Sequence, residues 1–117
     1  MKKIEAVIRK TKFAEVQEAL NDAGIEFFTF WEVRGVGKAR EGRIYRGIVY
    51  DTGTIERMLL SIYVREKYLK PAIDAILNAA KTGEIGDGKI FVSDIDDAYR
   101  IRTGEKGDKS LYIEGEE

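Results

Sequence analysis

Twice in this chain of 117 residues an apolar, strand-like run gives way to a helical stripe that stops near a glycine. That repeated order restricts the available folds more than composition does. In the first unit, KKIEAVIR (2–9) sets Ile4, Ala6 and Ile8 against Lys3, Glu5 and Val7, a period of two with one apolar residue on the outer face. TKFAEVQEALNDAG (11–24) then aligns Phe13, Val16, Leu20 and Ala23 on one helical stripe, with Thr11 as the expected N-cap and Gly24 as the stop. In the second unit, MLLSIYV (58–64) is compact enough for a central strand. REKYLKPAIDAILNAAKTG follows with Leu69, Ile73, Ile76, Leu77 and Ala80 on one stripe ending at Gly83, read as a C′ glycine. Pro71 is tolerable only near the first turn of that helix, because deeper in it removes a hydrogen bond and crowds the preceding turn.

Three further strands are expected at IEFFTFWEVRGVG (25–37), KIFVSD (89–94) and, shorter, AYRIR (98–102). Residues 38–57 carry no sustained period, three glycines and many charges, which predicts a long polar loop of the kind that is functional or disordered. The order strand, helix, strand, long loop, strand, helix, strand predicts an α+β, ferredoxin-like βαββαβ sandwich, two helices on one face of a four-stranded antiparallel sheet, plus a short C-terminal strand. A chain of this length buries one core, so residues 1–117 are expected as one domain, with 38–57 a mobile loop and 106–117 a flexible tail.

Composition then limits the chemistry. With no Cys and no His there are no thiolate nucleophiles, imidazole bases or usual zinc ligands, and no metal site is expected. The net charge of −1 gives no cause to expect nucleic acid. No long apolar segment follows the N-terminal lysines, so neither a signal peptide nor membrane insertion is expected, and a cytoplasmic protein is the default. Phe27, Phe28, Phe30 and Trp31 are read as core or subunit interface, and Asp96 and Asp97 as a solvated turn.

KTGEIGDGKIFVSD (81–94) supports two readings. It makes a helix stop and a tight turn. It also gives a glycine-lined backbone able to turn several amides toward an anion, with Lys89 at its edge. It is not a Walker loop, since helix precedes the glycines and strand follows. Arg100 and Arg102, two apart and so on one face of the expected strand, add a cationic fork for polyphosphate.

TGEIGDGKIFV followed by RIRTGE resembles the nucleotide-binding loop and C-terminal loop of the PII nitrogen-regulatory signal proteins. The resemblance extends to KKIEAVIRKTKFAEVQEALNDAGI, TFWEVRGVG and YRGIVY, covers residues 1–105, and is most specific over 82–105. It implies a homotrimer that binds ATP or ADP in clefts between subunits and controls a partner, an ammonium transporter or metabolic enzyme, through its long loop. By the same resemblance Thr82, Gly83, Gly86, Asp87, Gly88 and Lys89 meet the phosphates, and Arg100 and Arg102 reach them from the same or the neighbouring chain. Val7, Thr29 and Val64 line the adenine pocket, and Gly35, Val36, Gly37 and Lys38 form the loop base. The implied protein is a regulator and not an enzyme.

Two positions depart from the family pattern, and a third keeps its residue in altered surroundings. Ala39 stands where a Gln helps hold magnesium and 2-oxoglutarate, and a methyl group cannot coordinate a metal. Arg57 stands where a Lys caps 2-oxoglutarate, keeping the charge and changing the shape, so it is the effector-binding residue if such a ligand is kept. Magnesium and 2-oxoglutarate are therefore left open. Tyr50 matches a tyrosine that is uridylylated in some bacteria, but its surroundings differ and it is read first as an exposed loop residue. Two rivals remain. VRGVGKAR faintly resembles the phosphate loop of acylphosphatases, enzymes that share the fold, but there a helix follows directly. The RRM, an RNA-binding module, shares the element order, and KIFVSDI has only a trace of its aromatic signature.

Overall fold

The computed structural model describes residues 1–37, 42–45, 48–51 and 54–112, with the side chains of 42–45 and 48–51 left aside. Its strands are β1 (Lys2–Arg9), β2 (Thr29–Gly35), β3 (Gly42–Tyr45), β4 (Ile48–Asp51), β5 (Ile55–Val64) and β6 (Gly88–Asp94); its helices are α1 (Phe13–Asp22) and α2 (Glu66–Ala80). The main sheet runs β2-β5-β1-β6 and every pairing in it is antiparallel. Apart from the β3–β4 hairpin, this is the ferredoxin-like order.

The alternation in β1 decides which face is covered. Ile4, Ala6 and Ile8 point toward the helices with Met58, Leu60, Ile62 and Val64 of β5, and all are buried. Val16 and Leu20 of α1 and Ala72, Ile76 and Ala80 of α2 close over them. Full burial of a side chain such as Leu60 stabilises the fold by about 2–3 kcal/mol. The opposite face carries Val7, Leu59, Trp31, Tyr63 and Phe91, and no element among the described residues covers it; Trp31 is 50%, Tyr63 49% and Phe91 55% exposed.

Several sequence expectations are corrected. A 3-10 turn at Lys10–Lys12 runs directly into α1, so the Phe13 N–H donates to the Lys10 carbonyl and Thr11 caps nothing; the N-cap is Lys12, without a side-chain cap. Gly24 does end that helix, at φ +88° with its N–H donating to the Asn21 carbonyl. β2 begins at Thr29, and Phe28 and Phe30 turn back onto Phe13 in an aromatic cluster, with Phe13 and Phe30 ring centres 4.6 Å apart. β5 starts at Ile55, so residues 55–57 belong to the sheet and not to the long loop; pairing with β2 as far as Gly35 extends the strand. Within the loop, β3 and β4 form their own two-stranded sheet.

In α2, Leu77 lies off the buried stripe and is exposed, while Ala72 takes a core position. Pro71 sits in the second turn rather than the first, with its ring exposed, and the helix continues through it. The helix C-cap is Lys81 in an extended conformation, so Gly83, two residues later at φ +90°, belongs to the following loop and not to the cap. In place of a strand at 98–102 there is a single bridge between Tyr99 and Lys106 around a turn. A 3-10 helix follows at Gly107–Leu111, and residues 113–117 lie outside the described ones. No helix among the described residues is long and apolar enough to cross a membrane.

Candidate functional site

The glycine segment folds around one carboxylate. Asp87 Oδ2 accepts from the backbone N–H groups of Thr82 and Gly83, each at 2.9 Å. Asp87 Oδ1 accepts from the Thr82 hydroxyl and from Arg9 Nε, the latter at 3.0 Å. The Thr82 hydroxyl also receives the Glu84 N–H at 3.2 Å. These donors, the Thr82 hydroxyl foremost and then the Thr82 and Gly83 amides and Arg9, hold the Asp87 carboxyl far below the usual carboxylate range. Asp87 is therefore an internal anion that shapes the loop, and its side chain faces inward.

Two backbone donors of the loop remain unengaged. The N–H groups of Ile85 and Gly86 have no acceptor among the described residues. Gly86 at φ +101° and Gly88 at φ +103° turn the chain between them. Lys89 is exposed and without an ion-pair partner among the described residues. Successive unengaged amides beside a cation form an anion-binding concavity. Val7 lies next to it, as the Cα partner of Lys89 in the β1–β6 ladder. A groove of about 740 Å³ between β6 and α2, walled by Ile73, Leu77, Phe91 and Val92, opens beside them.

Arg100, Arg102 and Val64 lie elsewhere. The ladder pairs Val64 with Lys2, five residues along β1 from Val7, a separation of about 17 Å at strand spacing. An odd separation along a strand also puts Val64 and Val7 on opposite faces. Arg100 and Arg102 border a cavity of about 650 Å³ with Val64, Arg65, Tyr68 and Tyr112. The two arginines are not on a strand: Arg102 sits in the turn, exposed and without an ion-pair partner among the described residues. Arg100 Nη1 pairs with Glu105 at 2.9 Å, and its Nη2 donates to the carbonyls of Lys109 at 3.3 Å and Tyr112 at 2.6 Å. The Tyr112 ring lies over the buried Arg65 guanidinium at 4.3 Å, with Tyr68 also against it at 5.2 Å. Asp97 is more than a solvated turn residue, since it accepts the Ala98 and Gly107 N–H groups and fixes this segment.

Thr29 is exposed on the uncovered face, opposite Ser61 and two strands from β1. Val7, Thr29 and Val64 are therefore not gathered within one protomer. At the loop base Gly35 pairs with Ile55, Val36 is exposed, and Gly37 leaves its Cβ position 3.8 Å from Ile55. Arg34 reaches Thr54 at 3.4 Å and Glu56 at 3.9 Å across that base. Arg57 is buried and donates to the Glu56 carbonyl. Lys38 and Ala39 lie outside the described residues, as does the side chain of Tyr50, whose backbone pairs with Arg43. Among the described residues no cluster of three or more acidic, His or Cys side chains could hold a metal.

Sequence reasoning missed Arg9, Arg65 and Tyr112. Arg9 reads as the polar end of a strand until the β1–β6 register places it beside Asp87. Nothing in the local sequence marks it.

Comparison with known proteins agrees with this architecture. The family profile described as Nitrogen regulatory protein P-II matches residues 1–105. The chain is 46% identical over 108 residues to a Nitrogen regulatory protein P-II of Bradyrhizobium diazoefficiens, covering 92% of this chain and 96% of that protein. It is 45% identical to one from Synechocystis and 42% to one from Azospirillum brasilense, each over 112 residues that cover 95% of this chain and all of the relative. The chain therefore belongs to the nitrogen regulatory protein P-II family, whose proteins are signal-transduction regulators and not enzymes.

Proposed function

We propose that this regulator is a homotrimeric, cytoplasmic sensor of adenine nucleotides that binds ATP or ADP in clefts between subunits and signals through the segment containing β3 and β4. One observation carries the reading: the cationic groups fall into two halves, each incomplete. The loop 82–89 lies with Val7 at one end of the sheet, whereas Arg100 and Arg102 share a cavity with Val64, which lies about 17 Å from Val7 along the strands and on the other face. A polyphosphate that meets Lys89 in one chain reaches the arginines most simply from a second copy. The uncovered sheet face supports association: the register lines up Trp31, Leu59 and Val7 in one cross-strand apolar row, and Tyr63 and Phe91 are half exposed on the same face.

Signalling needs a difference between ligands. ATP and ADP shift the loop only in so far as each binds one loop state more tightly. An isolated two-stranded hairpin is marginal by itself, which suits a β3–β4 segment whose order is completed by a regulated transporter or metabolic enzyme. Magnesium and 2-oxoglutarate stay outside the proposal: Ala39 offers no ligand atom beyond its backbone, and Arg57 is buried beside the loop base.

Isothermal calorimetry with ATP, ADP and AMP tests the reading. Dissociation constants on the order of micromolar are expected for ATP or ADP. Lys89→Ala should weaken both at least about tenfold, the scale of a lost charge-assisted contact. Absence of binding by any of the three nucleotides to the folded oligomer would contradict it. Repeating the titration with magnesium and 2-oxoglutarate decides whether Ala39 has removed that response.

A further inference from the structure

Arg9 projects from the last position of β1 to the underside of the loop 82–88. Its Nε donates to Asp87 Oδ1 and its Nη2 to the Ile85 carbonyl, both at 3.0 Å. The planar guanidinium thus grips the loop at two points, a side chain and a main-chain carbonyl, as a single-point ammonium cannot. The pair is largely enclosed, Arg9 being 21% and Asp87 25% exposed, and Asp87 in turn holds the first two residues of the loop through the Thr82 and Gly83 amides. Arg9, Asp87, Thr82 and Gly83 form one connected brace, and the unengaged Ile85 and Gly86 amides sit between its two anchor points.

We propose that Arg9 is a positioning residue for the phosphates: it holds the 82–88 loop in the shape that presents the Ile85 and Gly86 amides and Lys89 outward, without touching the ligand itself. This rests on the nucleotide reading above. An anion-binding concavity depends on amides fixed before the anion arrives, since ordering the loop at that moment would subtract from affinity. Asp87 satisfies the inner donors and so keeps them from collapsing onto the ligand. Arg9 offsets the negative charge that Asp87 would otherwise place beneath a polyphosphate, and ties the loop to the rigid end of a central strand.

Two measurements on the full chain test this. In ligand-free protein, amide hydrogen exchange should quicken at Thr82 and Gly83 in Arg9→Met and stay unchanged at Ile4 and Leu60; equal protection of Thr82 and Gly83 in variant and wild type would overturn the brace, whatever nucleotides do. In calorimetry, Arg9→Met should weaken ATP and ADP about tenfold and adenosine less than about twofold, with Arg9→Lys recovering part of the loss. Arg9→Met combined with Asp87→Asn should cost little more than Asp87→Asn alone, because the two act as one unit. Unchanged ATP affinity, equal loss for adenosine, or full additivity would each overturn the proposal. A wild-type protein that binds no nucleotide removes the parent reading and this role together, while leaving the exchange result to decide the brace.

Discussion

Asp87 is the residue on which most of the local order converges. Four donors reach its two oxygens, so beside the proposed phosphate site it acts as an internal anchor and not as a direct contact or a repulsive charge. The consequence for pH follows from the direction of its shift. Its carboxyl is held below the ordinary value by the Thr82 hydroxyl first, and Asp94 and Asp97 are lowered as well, by the Lys2 ammonium and by the Ala98 amide respectively. A carboxyl depressed in the folded state binds fewer protons there than in the unfolded chain. Its contribution is fully present above the ordinary carboxyl value of about 4 and is lost progressively as pH falls below it. Urea denaturation at pH 7, 4 and 3 should show stability falling between the last two, with a shallower fall in Asp87→Asn. An identical fall in that variant would mean that the lowered Asp87 has no part in the acid response.

At the scale of elements, the positions where backbone approach is closest are the least forgiving. Gly88 opens β6 at φ +103°, and a Cβ there would sit 1.7 Å from the Val7 carbonyl oxygen. Gly83 has a similar dihedral, φ +90°, but open space around its Cβ position. Gly88→Ala should therefore destabilise by more than about 2 kcal/mol and Gly83→Ala by about 1 kcal/mol, read from urea midpoints. Equal losses would contradict the register of β1 and β6. The same contrast explains what could be read in advance. Ile4, Ala6 and Ile8 and the stripe Val16–Leu20 were legible because a buried face imposes its period on the sequence. AYRIR imitates that period, yet Ile101 is fully exposed and, among the described residues, the segment makes only the single Tyr99–Lys106 bridge and joins no sheet; Asp97 and Arg100 hold it by polar contacts that leave no pattern. β3 and β4, which pair with each other, escaped notice because residues 38–57 carry no sustained apolar period. The candidate loop 82–89 stands out in the sequence by its glycines and lysine, whereas Arg9 depends on a strand pairing that no local stretch encodes.

For the whole molecule, the decisive fact is incompleteness. The radius of gyration, 17.1 Å, exceeds the roughly 13 Å of a compact chain of this length, in keeping with a longest dimension of 60 Å and a hairpin that forms a sheet of its own. The main sheet has one face packed by helices and one left with aromatic side chains exposed, and the cationic groups divide between its two ends. Family membership explains the fold and the regulatory character; the division of the charges is what the proposed nucleotide site across subunits rests on. The most direct measurement of that claim is nucleotide binding by mixed oligomers. Lys89→Ala and Arg102→Ala proteins, each expected to bind ATP poorly, are unfolded, mixed in equal amounts and refolded together. If every cleft takes its loop from one chain and its arginine from the next, about one cleft in four regains both groups by random assembly, and ATP stoichiometry rises to that fraction of wild type. If the mixture binds no more ATP than the two variants separately, the halves do not meet across subunits and the account is wrong.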